Sequence, residues 1–273
     1  MEINRDNIFE IINRSNARPD KDYGQNFLVE PSISKEIVDA LDIQVEDLVL
    51  EIGPGLGSLT HFLSLNNAKT AIVDIDKRMT DFLSVAYQEN KNIAIVNEDI
   101  RKVNINNYTK IIGNLPYNIT TELVTYLLRF GSNAKKMVLM CQTEAFDHFN
   151  DVSGKEYGPA SILAHLLGNV KRIRNVKAGS FHPVPKCGSL VFEIELFDNV
   201  DRNKAIDVYS MAKQLFINRR KTIYNNLTNY LKDRALAESI CLALSIPLQS
   251  RPEDILPLKY VELFDEIKKR SSK

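Results

Sequence analysis

Asp47-Leu48-Val49-Leu50-Glu51-Ile52-Gly53-Pro54-Gly55-Leu56-Gly57 reads as an apolar strand that runs straight into a loop of close-set glycines. Glycine lets a backbone approach a ligand that a larger residue would block. Working outward, further apolar runs bounded by turn signals occupy 69–74, 92–97, 110–113, 136–141 and 189–196. Helical periodicity fills 57–65, 77–89 and 120–130 between the early runs, and 7–14 and 31–42 before them. Strand-like runs alternating with helices predict a parallel sheet covered on both faces, an α/β, Rossmann-like fold. The run at 189–196, with 170–177, fits an antiparallel closing hairpin. From about 203 the strand signal stops, and 203–218, 219–232, 233–245 and 257–270 read as helices punctuated by Pro247 and Pro252. The expected division is an α/β domain over 1–200 and a small all-helical domain over 201–273.

Composition narrows the class of molecule. The chain has 273 residues, 44% hydrophobic and 26% charged, enough for a sizeable core in one or two domains. Cys141, Cys187 and Cys241 are widely spaced and form no CxxC pair, which argues against a disulfide framework or a zinc site. No apolar run reaches the ~20 residues that a membrane span needs. The opening Met1-Glu2-Ile3-Asn4-Arg5-Asp6 lacks the features of a signal or transit peptide, so a cytoplasmic location is expected. Net charge is zero, but residues 1–200 carry 21 Lys+Arg against 26 Asp+Glu, and residues 201–273 carry 14 against 9. The surplus of base in the second segment is compatible with a contact region for a polyanion.

The glycine loop constrains its ligand. Asp74 lies 21 residues after Gly53 at the end of the next strand, where a doubly wound sheet places an acid for ribose hydroxyls. Asp76 competes for that role, and strand alternation does not separate the two. The Gly-x-Gly-x-Gly spacing of Gly53, Gly55 and Gly57 is tighter than the dinucleotide fingerprint, and no lysine follows as in a P-loop. A nucleoside without phosphates fits, with S-adenosylmethionine the common example. The third strand ends at Asn97-Glu98-Asp99; Asp99 can accept an adenine amine or cap a helix, and its position allows both. The strand at 110–113 leads into Asn114-Leu115-Pro116-Tyr117. The Asn114 amide oxygen and the Leu115 carbonyl can each accept a hydrogen bond from an exocyclic amine. Pro116 restricts Leu115 to extended backbone, and Tyr117 offers a face on which a base can stack. An ordinary proline turn is the alternative reading of the same four residues.

Taken in order, the glycine loop, Asp74, Asp99 and Asn114–Tyr117 resemble the rRNA adenine N6,N6-dimethyltransferase family. Further segments carry the same resemblance. Gly24-Gln25-Asn26-Phe27-Leu28 is similar to the family's N-terminal segment covering the cofactor, placed at about 18–30. Phe181-His182-Pro183-Val184-Pro185-Lys186 resembles its F-x-P-x-P-K loop, and Phe216-Ile217-Asn218-Arg219-Arg220-Lys221-Thr222 resembles the signature of its helical domain. Leu115, the R-R-K-T segment and Arg251-Pro252-Glu253-Asp254 favour the branch acting in small-subunit maturation over the large-subunit branch conferring macrolide resistance, and the absence of a transit peptide fits its bacterial form.

The resemblance implies a class I S-adenosylmethionine-dependent methyltransferase sheet with a C-terminal helical domain. It implies dimethylation of two adjacent adenosines in a hairpin loop near the 3′ end of small-subunit rRNA, within an immature subunit. Asn26, Leu28, Gly53, Gly55, Asp74, Asp99 and Asn114 are the implied cofactor contacts. Asn114, Leu115 and Tyr117 would hold the target base, with Phe181 stacking on its other face; a buried Phe181 anchoring its loop is the other possibility. Lys171, Arg172, Arg174 and Lys186, with Lys177, form an acid-free basic stretch, and Arg219, Arg220 and Lys221 a second cluster. Both are expected RNA contacts, since phosphate neutralisation dominates such affinity. No metal is implied, and a monomer is expected. The competing readings are a large-subunit rRNA enzyme, a DNA adenine or protein-glutamine methyltransferase, and an assembly factor on the same scaffold.

Overall fold

The computed structural model describes residues 1–15, 19 and 25–271; residues 18 and 20–24 of the expected covering segment lie outside them. In chain order the elements are α1 (Ile8–Ser15), β1 (Phe27–Leu28), α2 (Pro31–Ala40), β2 (Leu48–Ile52), α3 (Ser58–Leu63), β3 (Lys69–Asp74), α4 (Lys77–Ala86), β4 (Ile93–Asn97), β5 (Lys110–Asn114) and α5 (Thr120–Phe130). There follow β6 (Lys136–Gln142), α6 (Thr143–Asn150), α7 (Pro159–Leu167), β7 (Gly168–Val176), β8 (Phe181–His182) and β9 (Ser189–Leu196). The chain closes with α8 (Arg202–Leu215), α9 (Ile223–Leu231), α10 (Arg234–Ala243) and α11 (Pro257–Ser271).

The chain divides into two compact units. The first comprises 1–146 and 171–196, and the second 147–170 and 197–273. The boundary expected at 200 therefore misses one feature: residues 147–170 group with the C-terminal helices rather than with the sheet.

In the first unit a seven-stranded sheet has the order β4-β3-β2-β5-β6-β9-β7. The strands from β4 to β6 are parallel neighbours, and β9 runs antiparallel to β6 from Lys136↔Glu195 to Gln142↔Ser189. The inner strands are apolar on both sides because helices cover both faces. Ile37, Leu41, Val49, Leu63, Ile112 and Val138 lie in one buried cluster that joins α2, α3 and the sheet. The chain lays β3 and then β4 to one side of β2, and returns to place β5 on its other side. That reversal opens a crevice beyond the carboxyl ends of β2 and β5, where open α/β sheets bind ligands. Ile52 is paired with Gly113 across the two strands. A Cβ on Gly113 would stand 2.6 Å from the Ile52 carbonyl oxygen, so the two strand ends meet this closely only with glycine there.

In the second unit Phe216 packs edge-to-face on Tyr157 and tilted against Tyr260, with ring centroids 6.0 and 6.1 Å apart. The buried hydroxyls of Tyr157 and Tyr260 each donate at 2.8 Å, to the carbonyls of Ile255 and Pro252. Burying an aromatic with its polar tip satisfied avoids the penalty of an orphaned hydroxyl. Thr222 caps α9 through the Asn225 N–H. No described helix is long and apolar enough to cross a membrane.

Candidate active site at the reversal of the sheet

The crevice is lined by Gln25, Asn26, Phe27 and Leu28 from the N-terminal segment, by Glu51, Gly53, Pro54 and Gly55 from the end of β2 and its loop, by Asp74 and Ile75 from β3, and by Asn114 to Ile119 after β5. Ser58 and Leu59 of α3 complete it. Of the residues expected to hold the cofactor and the base, Asn26, Leu28, Gly53, Gly55, Asp74, Asn114, Leu115 and Tyr117 are brought together here.

The backbone requires the glycines. Gly53 and Gly55 have φ of +63° and +56°, a region that L side chains rarely adopt. A Cβ on Gly55 would also press on the Phe27 ring at 3.0 Å. The loop thus closes directly beneath the N-terminal segment.

The two acids that the sequence left open are separated by their partners. Asp76 is spent: its carboxylate accepts from Arg78 at 2.6 and 2.9 Å and from the Gln25 amide at 2.9 Å, and it caps α4. These bonds hold its pKa below the ordinary value against the effect of burial. Asp74 is 9% exposed and lines the crevice; Oδ1 accepts the Asp76 N–H at 2.9 Å. Burial raises its pKa to about 6, with backbone N–H donors opposing and Asp76 adding to the rise. It is the acid available to a ligand's hydroxyls.

Among the described residues the Asn114 side chain makes one hydrogen bond. Its Nδ2 donates to the Asn26 carbonyl at 3.2 Å, which fixes the amide orientation because that carbonyl can only accept. Oδ1 is buried and has no hydrogen-bond partner among the described residues. The Leu115 N–H is taken by the Met140 carbonyl at 2.9 Å, while no hydrogen bond to the Leu115 carbonyl is found among the described residues. Two acceptors on consecutive residues therefore lack donors at the end of β5. Tyr117 is half-buried, and its hydroxyl meets the Ser189 hydroxyl at 2.8 Å, tethering the ring to β9. Burial raises its pKa, so the phenol stays protonated.

Three of the expected site residues have other partners in the structure. Phe181 is 2% exposed, belongs to the buried cluster with Leu28 and Ile33, and does not line the crevice. Pairing of β8 with β1 in the register Leu28↔Phe181 draws it into the core, so it anchors its loop and offers no stacking face. Asp99 also lies outside the crevice lining. It caps a short helical turn and forms a 2.6 Å ion pair with Arg101, so an adenine amine would reach it only by displacing Arg101. Arg219 pairs with Glu253 at 3.3 Å and donates to the Gly154 carbonyl at 2.5 Å, which makes it a brace of the second unit. The remaining basic residues divide between the units. Arg174 is paired with Glu36, and Lys171 lies 3.5 Å from Glu193. Arg172 lies over the Phe146 ring at 5.3 Å. Lys186, Arg220 and Lys221 are exposed.

Sequence reasoning gave Glu51 no role, although a carboxylic acid inside the run Leu48–Ile52 is conspicuous. It is 1% exposed and lines the crevice.

The chemistry of this crevice fits a nucleoside cofactor that carries a methyl group. Asp74 can serve ribose hydroxyls, the glycine loop admits close backbone approach, and the Asn114 oxygen can accept a hydrogen bond from a ligand. The fold and site define an S-adenosylmethionine-dependent methyltransferase. A family model described as ribosomal RNA adenine dimethylase matches residues 16–269, and the chain belongs to that family. Two relatives are named ribosomal RNA small subunit methyltransferase A. One, from Malacoplasma penetrans, is 34% identical over 88% of this chain and 89% of its own length. The other, from Lactobacillus johnsonii, is 34% identical over 96% of this chain and 95% of its own length. Among solved structures, a dimethyladenosine transferase from Plasmodium falciparum matches with a TM-score of 0.77 at 24% identity, covering 90% of this chain and 98% of its own. The 23S rRNA methyltransferase ErmE matches with a TM-score of 0.68 at 20% identity, covering 89% and 100%. Both share the fold.

Proposed function

We propose that this protein dimethylates the N6 amines of two adjacent adenosines in a 3′-terminal hairpin loop of small-subunit rRNA, within an immature subunit. The observation that carries the reading is the pair of donor-less acceptors, Asn114 Oδ1 and the Leu115 carbonyl, beside Tyr117. The 34%-identical relatives named for the small subunit support that substrate over the large subunit.

S-adenosylmethionine, when bound, supplies an electrophilic sulfonium methyl. Asp74, Gly53, Gly55, Asn26 and Leu28 are the residues that would hold it. The adenine N6 lone pair is delocalised into the ring, so the amine is a weak nucleophile. Asn114 and Leu115 would accept its two hydrogens and turn the lone pair out of conjugation, a positioning and electrostatic effect that needs no general base. A base presented this way must leave its stack, and Tyr117 supplies a face for it. After one transfer a hydrogen remains on N6, so the same acceptors serve the second round. Lys171, Arg172 and Lys186 in the first unit, and Arg220 and Lys221 in the second, would contact phosphates. The chain would act as a monomer in the cytoplasm.

The test is methyl transfer from labelled S-adenosylmethionine to purified subunits that lack the modification. Incorporation into small subunits is expected; incorporation confined to large subunits would favour the alternative substrate.

A further inference from the structure

Glu51 ends the apolar core of β2, one residue before the strand's last position. Thr60 Oγ1 on α3 donates to its Oε2 at 2.7 Å, while the buried Oε1 has no partner among the described residues. The groups facing it are Thr60, Asp74 on β3, and Tyr87 just after α4, whose own pKa is raised by burial and then by Glu51. None is a cation, and among the described lining residues of the crevice there is no Lys, Arg or His. A buried carboxylate without a cation takes up a proton instead of bearing the desolvation cost. Burial, opposed by the Thr60 bond and reinforced by Asp74, pushes the Glu51 pKa up to about 8.

S-adenosylmethionine carries a sulfonium, an ammonium and a carboxylate, a net single positive charge at neutral pH. Loss of the methyl leaves a neutral thioether zwitterion. We propose that Glu51 distinguishes the cationic methyl donor from its neutral product, releasing its proton to solvent when the donor binds and regaining one from solvent once the methyl has gone. The same crevice thereby holds the donor more tightly than the product, and product release is coupled to proton uptake. This rests on the crevice being the cofactor site. The chemical step balances separately: the amine nitrogen bonds to the methyl as the sulfur–methyl bond breaks, and the amine's proton leaves to solvent.

Titration calorimetry of the whole protein at pH 7.0, in phosphate and in Tris, reads protons released from the dependence of the binding enthalpy on the buffer. For S-adenosylmethionine we expect up to about nine-tenths of a proton released, the fraction carried by a group of pKa about 8. Asp74, raised to about 6, is already mostly ionised and can add only about a tenth. S-adenosylhomocysteine should release far less. Glu51→Gln should abolish the excess release and weaken the donor about tenfold more than the product. If that variant folds poorly, the difference in release between the two ligands on the wild-type protein still decides the question. Equal release with both ligands, enthalpies independent of buffer, or full release from Glu51→Gln would overturn the proposal. Failure of both ligands to bind would instead overturn the cofactor site itself, and this proposal with it.

Discussion

Replacing Asn114 with alanine separates the chemistry of this residue from its structural role. Among the described residues the side chain makes a single long bond, 3.2 Å from Nδ2 to the Asn26 carbonyl. Losing such a bond costs about 1 kcal/mol. Removing the buried, unpartnered Oδ1 relieves a desolvation penalty of about 1–3 kcal/mol. The two nearly cancel, so the melting temperature of Asn114→Ala should stay near that of the wild type. In the transition state the variant lacks one of the two acceptors that hold the amine. A lost preorganised hydrogen-bonding group of this kind lowers the rate about 10²–10³-fold. Single-turnover methyl incorporation into unmodified small subunits, at saturating cofactor, reads that loss. Calorimetry should find cofactor affinity within about threefold of wild type, since a contact worth at most about 0.7 kcal/mol is at stake there. Asn114→Asp is the sharper control, because it sets a carboxylate against the Asn26 carbonyl with no donor between them. It should be both inactive and less stable. Turnover of Asn114→Ala close to wild type would refute the reasoning, and so would a large fall in stability accompanying a small fall in rate.

Gly113→Ala puts a methyl 2.6 Å from the Ile52 carbonyl oxygen. It should cost about 1–3 kcal/mol in denaturant unfolding, because backbone rather than a flexible side chain must yield, and it should lower activity by parting Asn114 from the glycine loop. Glu51 has a folded pKa of about 8 against an ordinary 4.5, so its contribution is intact below about pH 4.5 and is lost as pH rises towards 8. In the absence of cofactor, stability should fall by about 2–5 kcal/mol across that window from this group, and Glu51→Gln should flatten the profile. Lys186→Ala and Lys221→Ala should each weaken RNA binding at low salt and reduce the slope of log affinity against log salt by about 0.7–0.9; an unchanged slope would remove that lysine from the interface.

The parallel strands β2 to β5 were legible because they are apolar runs of the right length, closed by a glycine or by polar residues. The region 143–167 was not. Strand β6 passes into α6 between Gln142 and Thr143 without an intervening turn, so no punctuation marks the change. Helix α7 buries Ser161, Ile162, Leu163, Ala164, Leu166 and Leu167, and a helix covered nearly all round shows little periodicity. Gly53, Gly55, Asp74 and Asn114 could be placed from sequence because their spacing follows the strand ends. The assignments to Phe181, Asp99 and Arg219 depended on partners that lie elsewhere or were not weighed: the core beside Leu28, Arg101 two residues on, and Glu253. Asp74 and Asp76 could be told apart only once Gln25 and Arg78 were seen to occupy the second. Glu51 carried a readable signal, an acid in an apolar strand, whose meaning needed the unpartnered oxygen.

The proposed activity stands or falls on which atoms receive the methyl groups. Unmodified small subunits should be incubated with the protein and S-adenosylmethionine, and the 3′-terminal rRNA fragment sequenced by mass spectrometry. Two adjacent adenosines, each carrying two methyl groups on N6, are the predicted result. Methylation at another base, arrest at a single methyl per adenosine, or modification only of large-subunit rRNA would contradict it.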